Sequence, residues 1–464
     1  MGKRKRWRHL SVSMGITIND TQDRAGFEDI LTDLEAEHVH LGVFDADGVF
    51  RHKRVDAAKA AKLARNGYQF CDVLYNWDIA ERPYGGGAFI DRPAFLDTAS
   101  VRSYPFADCE AVCIADFALP FGERSARNQL SRLLDRAHGL GFTVNSAFEF
   151  EFMVLDETPE SLRAKAFRDL DHFAAGNRTY SLQTAALHGD LLTGLEACMA
   201  TLGIGLDSIH TELGPGCFEA PLQHAAGMRG ADNAALFKSF AKAYFLRHGL
   251  MAAFLSKMGE AMPGQSGHLH ISFSGAADGA PAFADTSAPD GLSTLARHFV
   301  GGLVTLMPEL LALCSHTVNA YKRMVPGAWA PTYAAWGVQN RTAAVRVIND
   351  TAEATRIEFR VPSADTNPHA ALAMCLGAGL WGIENEIAPP SPRDDDCYAT
   401  PPDAGAAFPA TLGEAAERLS ASRAAREIFG DTYIDTVVQA RRIEEGAYRR
   451  HVSTWELNRY LEVV

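Results

Sequence analysis

Positive charge is scarce in this chain: Lys and Arg number 44 against 57 Asp and Glu, a formal net charge of −13. That balance argues against a general binder of nucleic acid or of an anionic membrane, because both need a cationic face. The one basic cluster is the opening MGKRKRWRHL, with Lys3, Arg4, Lys5, Arg6 and Arg8. It lacks the roughly 7–15-residue apolar run of a secretory signal, so residues 1–19 read as a solvated or subunit-contacting basic tail. Long hydrophobic runs are missing as well. The most apolar stretch, Leu295 to Cys314, carries Arg297, His298, Pro308 and Glu309, which a lipid-facing helix would not hold. Cysteines number eight, with no CxxC spacing and no disulfide-scaffold density, so a reducing cytoplasm is the expected setting. There are no internal repeats and no low-complexity tract.

What is present is a chain of 464 residues, 47% hydrophobic, enough for a large core and more than one domain. Residues 20–118 read as a smaller α+β unit: a helical stretch near Gly26–Glu37, then LGVFDADGVFRHKRV, two short strands about a turn at Asp45–Gly48. From 119 to 464 the pattern changes to long helices separated by isolated strands. Thr411 with Glu414 forms a capping-box pattern, and Asn367 before Pro368 is a cap followed by a first-turn proline. Ala388 to Pro409, rich in proline, aspartate and glycine, reads as a long loop.

Four segments of the larger unit share one peculiarity. In AFEFEF, Glu149 and Glu151 alternate with Phe148, Phe150 and Phe152, so a strand would be acidic on one face and apolar on the other. Alone, this fits a wet surface strand as well as a buried acidic site. In HTELGPGCFEAPL, Glu212 and Glu219 flank a Gly214-Pro215-Gly216 turn that can bring both together. In GHLHISF, His268 and His270 share a strand face, and in RIEFRV, Arg356, Glu358 and Arg360 do so. Together these segments supply five carboxylates and two imidazoles on strands whose other residues bury. Burying that many carboxylates without cations would cost several kcal/mol each. Hard divalent ions such as Mg²⁺ or Mn²⁺, two or more, suit the oxygen-rich donor set better than zinc. Such clusters serve phosphoryl transfer, with arginines neutralising developing charge, and Arg323, Arg341 and Arg346 follow nearby.

The ordered series EFEF, TELGPGCFE, GHLHIS, NAYKRMVPG with AP, NRTAAVRV and RIEFRVPSADTNPH resembles the glutamine synthetase superfamily, strongly over about residues 110–383, and WELNRYLEVV resembles the family's end. The resemblance implies an α+β fold. It has a small N-terminal β-grasp domain, a larger catalytic domain whose antiparallel sheet forms a half-barrel with helices, and a homo-oligomer, a double-ring dodecamer, with active sites between subunits. It implies ATP-dependent activation of the glutamate γ-carboxylate to a γ-glutamyl phosphate that an amine then attacks, with two or three Mg²⁺ or Mn²⁺ ions. Carried over residue by residue, Glu151, Glu212 and Glu219 resemble the ligands of one ion, and Glu149, His268 and Glu358 those of the ion on the nucleotide. His270, Ser272 and Arg356 resemble nucleotide contacts; Arg323 and Arg360 resemble clamps on the glutamate α-carboxylate. Arg341 and Arg346 resemble stabilisers of the transferring phosphoryl group. Asp78, in LYNWDIAERPY, stands for an aspartate that reaches a neighbour's site and helps deprotonate the amine, and Tyr180 for a tyrosine near the amine.

Two loops depart from the ammonia-using pattern. The flap reads VPGAWAP, so Trp329 stands where those members carry a glutamate that attracts ammonium. Replacing a carboxylate by indole disfavours a small hydrated cation and favours an amine with a carbon substituent. The other loop, Pro263-Gly264-Gln265-Ser266-Gly267, lacks the usual Asn but keeps glycines that admit close approach of substrate. The leading expectation is a ligase of the γ-glutamylamide branch, joining glutamate to a small organic amine. The alternatives are an ammonia-using glutamine synthetase, a non-catalytic homologue with a structural or regulatory role, and an amide hydrolase on the same scaffold.

Overall fold

The computed structural model describes residues 22–288, 290–399 and 405–464; the basic tail lies outside them. The first helix runs Gln22–Asp33 rather than Gly26–Glu37. It stops early because Glu35 turns into the left-handed region at φ 50°. The two strands expected about Asp45–Gly48 form an antiparallel hairpin, β1 (His38–Phe44) and β2 (Phe50–Asp56). With β3 (Tyr68–Cys71), β4 (Asp91–Leu96), β5 (Arg102–Ser103) and β6 (Glu110–Phe117) they make a six-stranded sheet in the order β2-β1-β6-β4-β3, with β5 beside β6. The β1–β6 pair is parallel and central. Both strands are buried along nearly their whole length, which explains their almost unbroken apolar sequence.

The strands of the larger unit are separated in sequence but not in space. They are β7 (Phe142–Leu155), β8 (His210–Thr211), β9 (Cys217–Pro221), β10 (Ala225–Ala226), β11 (Met251–Ala253), β12 (Gly267–Gly275), β13 (Trp336–Val338), β14 (Val345–Ile348) and β15 (Arg356–Phe359). They join into one sheet, a curled half-barrel, in the order β13-β14-β15-β12-β7-β9-β8, with β10 and β11 also on β7. Every pairing is antiparallel except β13 with β14. The 14-residue β7 is the spine of this sheet.

Helices back the sheet's apolar face. Met228–Arg247 lays Phe237 against Phe150, ring centroids 6.0 Å apart. Pro368–Glu384 is buried along most of its length and is capped as its sequence predicts, Asn367 accepting from the His369 and Ala370 amides. It crosses Thr294–Leu310 closely: a Cβ on Gly302 would lie 2.2 Å from the Ala378 carbonyl oxygen, so only glycine fits. That Leu295–Cys314 stretch is therefore core, and no described helix is long and apolar enough to cross a membrane. At the helix Leu412–Ala421, Thr411 accepts from the Glu414 amide, but the Glu414 carboxylate reaches back to the Ala410 amide rather than to Thr411.

Arg127 is buried at the meeting of the two sheets' supports. It makes a two-pronged contact with Asp232, 2.8 Å on each arm, and also bonds Asp97 at 2.5 Å and Asp116. His369 Nε2 lies 2.8 Å from Asp232 Oδ1. Burial pushes Asp232 up, yet Arg127 and His369 outweigh it and hold the carboxyl below its ordinary value.

Candidate active site

Alternation along β7 separates two chemistries. Phe148, Phe150 and Phe152 are fully buried in an aromatic stack that includes Phe254, 5.1 Å from Phe152. Glu149 and Glu151 therefore face the other way. Cross-strand register then decides their neighbours: Glu149 lies opposite His268, and Glu151 opposite Glu219, which in turn lies opposite His210. Farther along the sheet His270 lies opposite Glu358, and Glu358 opposite Arg346. One face of six adjacent strands thus carries the acids, imidazoles and an arginine. The turn between β8 and β9 needs its glycines: Gly214 and Gly216 adopt φ of 109° and 67°, and a Cβ on Gly216 would strike the Val154 carbonyl oxygen at 2.4 Å.

Two adjoining cavities meet at Glu149, which lines both. The first, of about 610 Å³, includes Glu151, Glu212, Glu219, His268 and Glu358. Its remaining wall holds Arg323, Arg341, Arg346, Arg360, Gly264, Tyr180 and Trp329. The second, of about 520 Å³, takes in His270, Ser272 and Arg356. The residues expected to touch nucleotide thus line one chamber, and those expected to touch the amino acid and amine line the other. Asp78 lies in neither. It sits in a loop where its Oδ1 accepts the Ala80 and Arg82 amides, beside Asp47, His316 and Arg441.

The donor set fits hard cations. Ligand atoms of Glu149, His270 and Glu358 lie within 4.8 Å of one another, and so do those of His210, Glu212 and Glu219. His268 Nδ1 is 3.6 Å from Glu149 and 3.5 Å from Glu358, while its buried Nε2 has no hydrogen-bond partner. Burial, then Glu219 beside it, pushes the Glu151 carboxyl up to about 7; burial also raises Glu219. Crowded carboxylates raised in this way are what a divalent ion would relieve. Glu149, Glu151, Glu212, Glu219, His268 and Glu358 are the residues that would hold such ions.

The cations are placed differently from one another. Arg346 Nη1 lies 3.0 Å from Glu358, which Arg360 also engages. Arg323 is buried and donates to the Val361 carbonyl at 3.0 Å, and it has no ion pair among the described residues. Burial pushes its guanidinium down to about 10, with Glu151 opposing. A buried cation lacking a carboxylate partner is suited to a substrate carboxylate. Gly264 is required beside it: a Cβ there would lie 2.6 Å from Arg323 Cγ. Gln265 and Ser266, at the departure from the ammonia-using pattern, are both buried, and the Ser266 amide donates to Glu151 at 2.5 Å. At the mouth, Trp329 and Tyr180 are 60% and 69% exposed, and both hold left-handed backbone, φ 54° and 55°. Two exposed aromatics in a costly conformation at one opening point to function.

Two contributions escape sequence reasoning. His210 precedes Glu212 by two residues and so shares its face, a signal present in HTE but eclipsed by the paired glutamates. The orientation of His270 also depends on Arg356, whose Nε lies 3.1 Å from His270 Nδ1 while His270 Nε2 faces Glu149 at 2.7 Å. Only register reveals that relay.

Residues 123–460 match the family model for the glutamine synthetase catalytic domain, and the chain belongs to the glutamine synthetase family. Within it, the chain is 32% identical over 437 residues to a glutamate–isopropylamine ligase of Pseudomonas sp, covering 92% of this chain and 95% of that one. It is 34% identical over 440 residues to type-1 glutamine synthetase 2 of Dictyostelium discoideum, covering 92% and 84%. It is 33% identical over 393 residues to a gamma-glutamylethanolamide synthetase of Streptomyces coelicolor, covering 84% and 81%. The solved structure of a GmaS/ADP complex superposes with a TM-score of 0.83 at 28% identity, covering 94% of this chain and 99% of the other.

Proposed function

We propose that this chain is an ATP-dependent ligase that joins the γ-carboxylate of glutamate to a primary organic amine. The observation that carries the reading is the junction at Glu149, where a chamber suited to nucleotide opens onto one suited to an amino acid. In the first half-reaction a γ-carboxylate oxygen attacks the γ-phosphorus of ATP, and ADP leaves with the bridging oxygen's electron pair. In the second, the amine nitrogen attacks the acyl carbon, phosphate departs, and the nitrogen loses a proton.

Arg323 and Arg360 orient the α-carboxylate as planar, forked donors. Arg341 and Arg346 face the space where phosphoryl charge develops. Two or three Mg²⁺ or Mn²⁺ ions, held by Glu149, Glu151, Glu212, Glu219, His268 and Glu358, would supply neutralisation of the phosphoryl charge. Glu212 lies on the amine side and attracts the incoming ammonium form. Asp78 takes the amine proton from a neighbouring copy's site, which accounts for its distance from this chain's own cavity.

That arrangement needs a homo-oligomer, and we assign a double-ring dodecamer. The exposed end of the chain supports self-association: Trp455, Leu457, Tyr460, Leu461 and Val463 leave large apolar surface uncovered. All eight cysteines are free, in keeping with a cytoplasmic enzyme.

Trp329 favours a carbon-bearing amine over ammonium. The identity to a glutamine synthetase of Dictyostelium keeps ammonia as the second reading. A phosphate-release screen with glutamate, ATP and a panel of ammonium, alkyl-, hydroxyalkyl-, aryl- and polyamines decides between them. An organic amine is expected to exceed ammonium in kcat/KM by about tenfold or more, the scale of one well-placed apolar contact. Highest kcat/KM with ammonium would assign the second reading, and no amine-dependent phosphate release would refute both.

A further inference from the structure

We propose that His210 is a direct nitrogen ligand of the ion held by Glu212 and Glu219, which makes this site prefer Mn²⁺ to Mg²⁺. The inference rests on the ligase reading of the cavity, and it adds a residue that the carboxylate-only ligand set leaves out.

Three geometric facts support it. His210 opens β8 and Glu212 follows it by two, at the start of the turn, so both side chains reach the face that carries Glu219. His210 lies opposite Glu219 in the β8–β9 ladder, with Nε2 3.4 Å from Glu219 Oε2. That distance is longer than a good charged hydrogen bond, roughly 2.7–2.9 Å. It is near the separation of about 3 Å between adjacent donors in an octahedron with bonds of about 2.1 Å. The ligand atoms of His210, Glu212 and Glu219 fall within 4.8 Å of one another, close to the reach of about 4.2 Å between opposite donors at such an ion. The imidazole is also held in place, with the Tyr180 ring 5.1 Å away at a 42° tilt. Tyr180 is the exposed left-handed residue at the mouth, so its strained backbone gains a purpose in fixing the ligand's ring.

The choice of ion follows from donor chemistry. Imidazole nitrogen discriminates among divalent ions in the Irving–Williams direction, whereas carboxylate and water oxygens suit Mg²⁺ and Mn²⁺ alike. A nitrogen donor therefore tilts this site toward Mn²⁺. A bare ion pair between His210 and Glu219 would do no such thing.

The test is equilibrium binding of Mn²⁺ and of Mg²⁺ to the full chain without nucleotide, with free Mn²⁺ counted by electron paramagnetic resonance. Wild type should bind two Mn²⁺ ions. His210→Ala should weaken one of them about tenfold or more and change Mg²⁺ binding much less. His210→Asp should restore the affinity with selectivity moved toward Mg²⁺, because an oxygen donor replaces nitrogen; a structural ion pair would instead be broken by a second anion. His210→Gln, nearest in shape, serves if the alanine variant does not fold, and should show the same selective loss. Unchanged Mn²⁺ binding in the folded alanine or glutamine variant would overturn the assignment while leaving the ligase reading intact. Failure of wild type to bind Mn²⁺ at all would overturn both the assignment and the ion chemistry of the proposed function, and the amine screen would show which reading fell.

Discussion

Glu151 on β7 and Glu219 on β9 are direct cross-strand partners on the same face of the sheet. Two carboxylates so placed repel each other and destabilise the sheet unless a cation lies between them. The ion-free fold should therefore be strained at this pair. Glu219→Gln is expected to make the ion-free protein more stable, by roughly 0.5–1 kcal/mol, and to remove most of the thermal stabilisation that saturating Mn²⁺ gives wild type. Thermal unfolding with Mn²⁺ and with chelator measures both. Equal Mn²⁺ stabilisation of wild type and variant would contradict the assignment of Glu219 to an ion.

The proposed role of Trp329 in choosing the acceptor rests on what it withholds. Its indole stands 60% exposed at the mouth, edge-on to Tyr398 with ring centroids 6.5 Å apart, and offers no charge to hold ammonium. Trp329→Glu should raise the ratio of kcat/KM for ammonium over the preferred organic amine by about tenfold or more. An unchanged ratio would remove Trp329 from selectivity.

Arg127 tests the framework rather than the site. Its guanidinium is surrounded by Asp97, Asp116 and Asp232, so Arg127→Ala leaves three acids facing one another in a buried space. The expected loss is roughly 3–5 kcal/mol of stability, read from urea unfolding. A loss below about 1 kcal/mol would show that the acids find another partner.

Lys238 gives the fold a pH dependence. Its Nζ donates to the Thr366 carbonyl at 2.6 Å and sits 5.5 Å from the centre of the Phe150 ring, behind the acidic strand. Burial, with Lys242 adding to it and Asp365 opposing it, pushes the amine down to about 7. An unfolded lysine titrates near about 10.4, so between about pH 7 and 10 the unfolded chain holds the extra proton. Stability from this group therefore rises with pH across that window. Urea midpoints measured from pH 7 to 9.5 should rise less steeply in Lys238→Met than in wild type; parallel slopes would contradict the shift.

Much of this was legible in the chain because strand periodicity is local. AFEFEF announces which face is acid and which is core, and Asn367-Pro368 announces a helix start, since each signal is carried by neighbours in sequence. Register is different. Nothing in GHLHISF says that His268 will face Glu149 while His270 faces Glu358, because that pairing is set by β7, β12 and β15 meeting across more than two hundred residues. The strands between the long helices read as isolated for the same reason. His210 is not legible because its place beside Glu219 depends on the β8–β9 ladder, nor is the Arg127 cluster, whose acids come from positions 97, 116 and 232.

The most direct test of the central claim is anomalous diffraction at the manganese edge from crystals grown with Mn²⁺ and a non-hydrolysable ATP analogue. At least two peaks are expected in the cavity: one bounded by Glu149, Glu358 and a histidine, where the triphosphate enters, and one bounded by Glu151, Glu212 and Glu219. Peaks elsewhere, or a nucleotide bound with these side chains turned to solvent and free of metal, would contradict it.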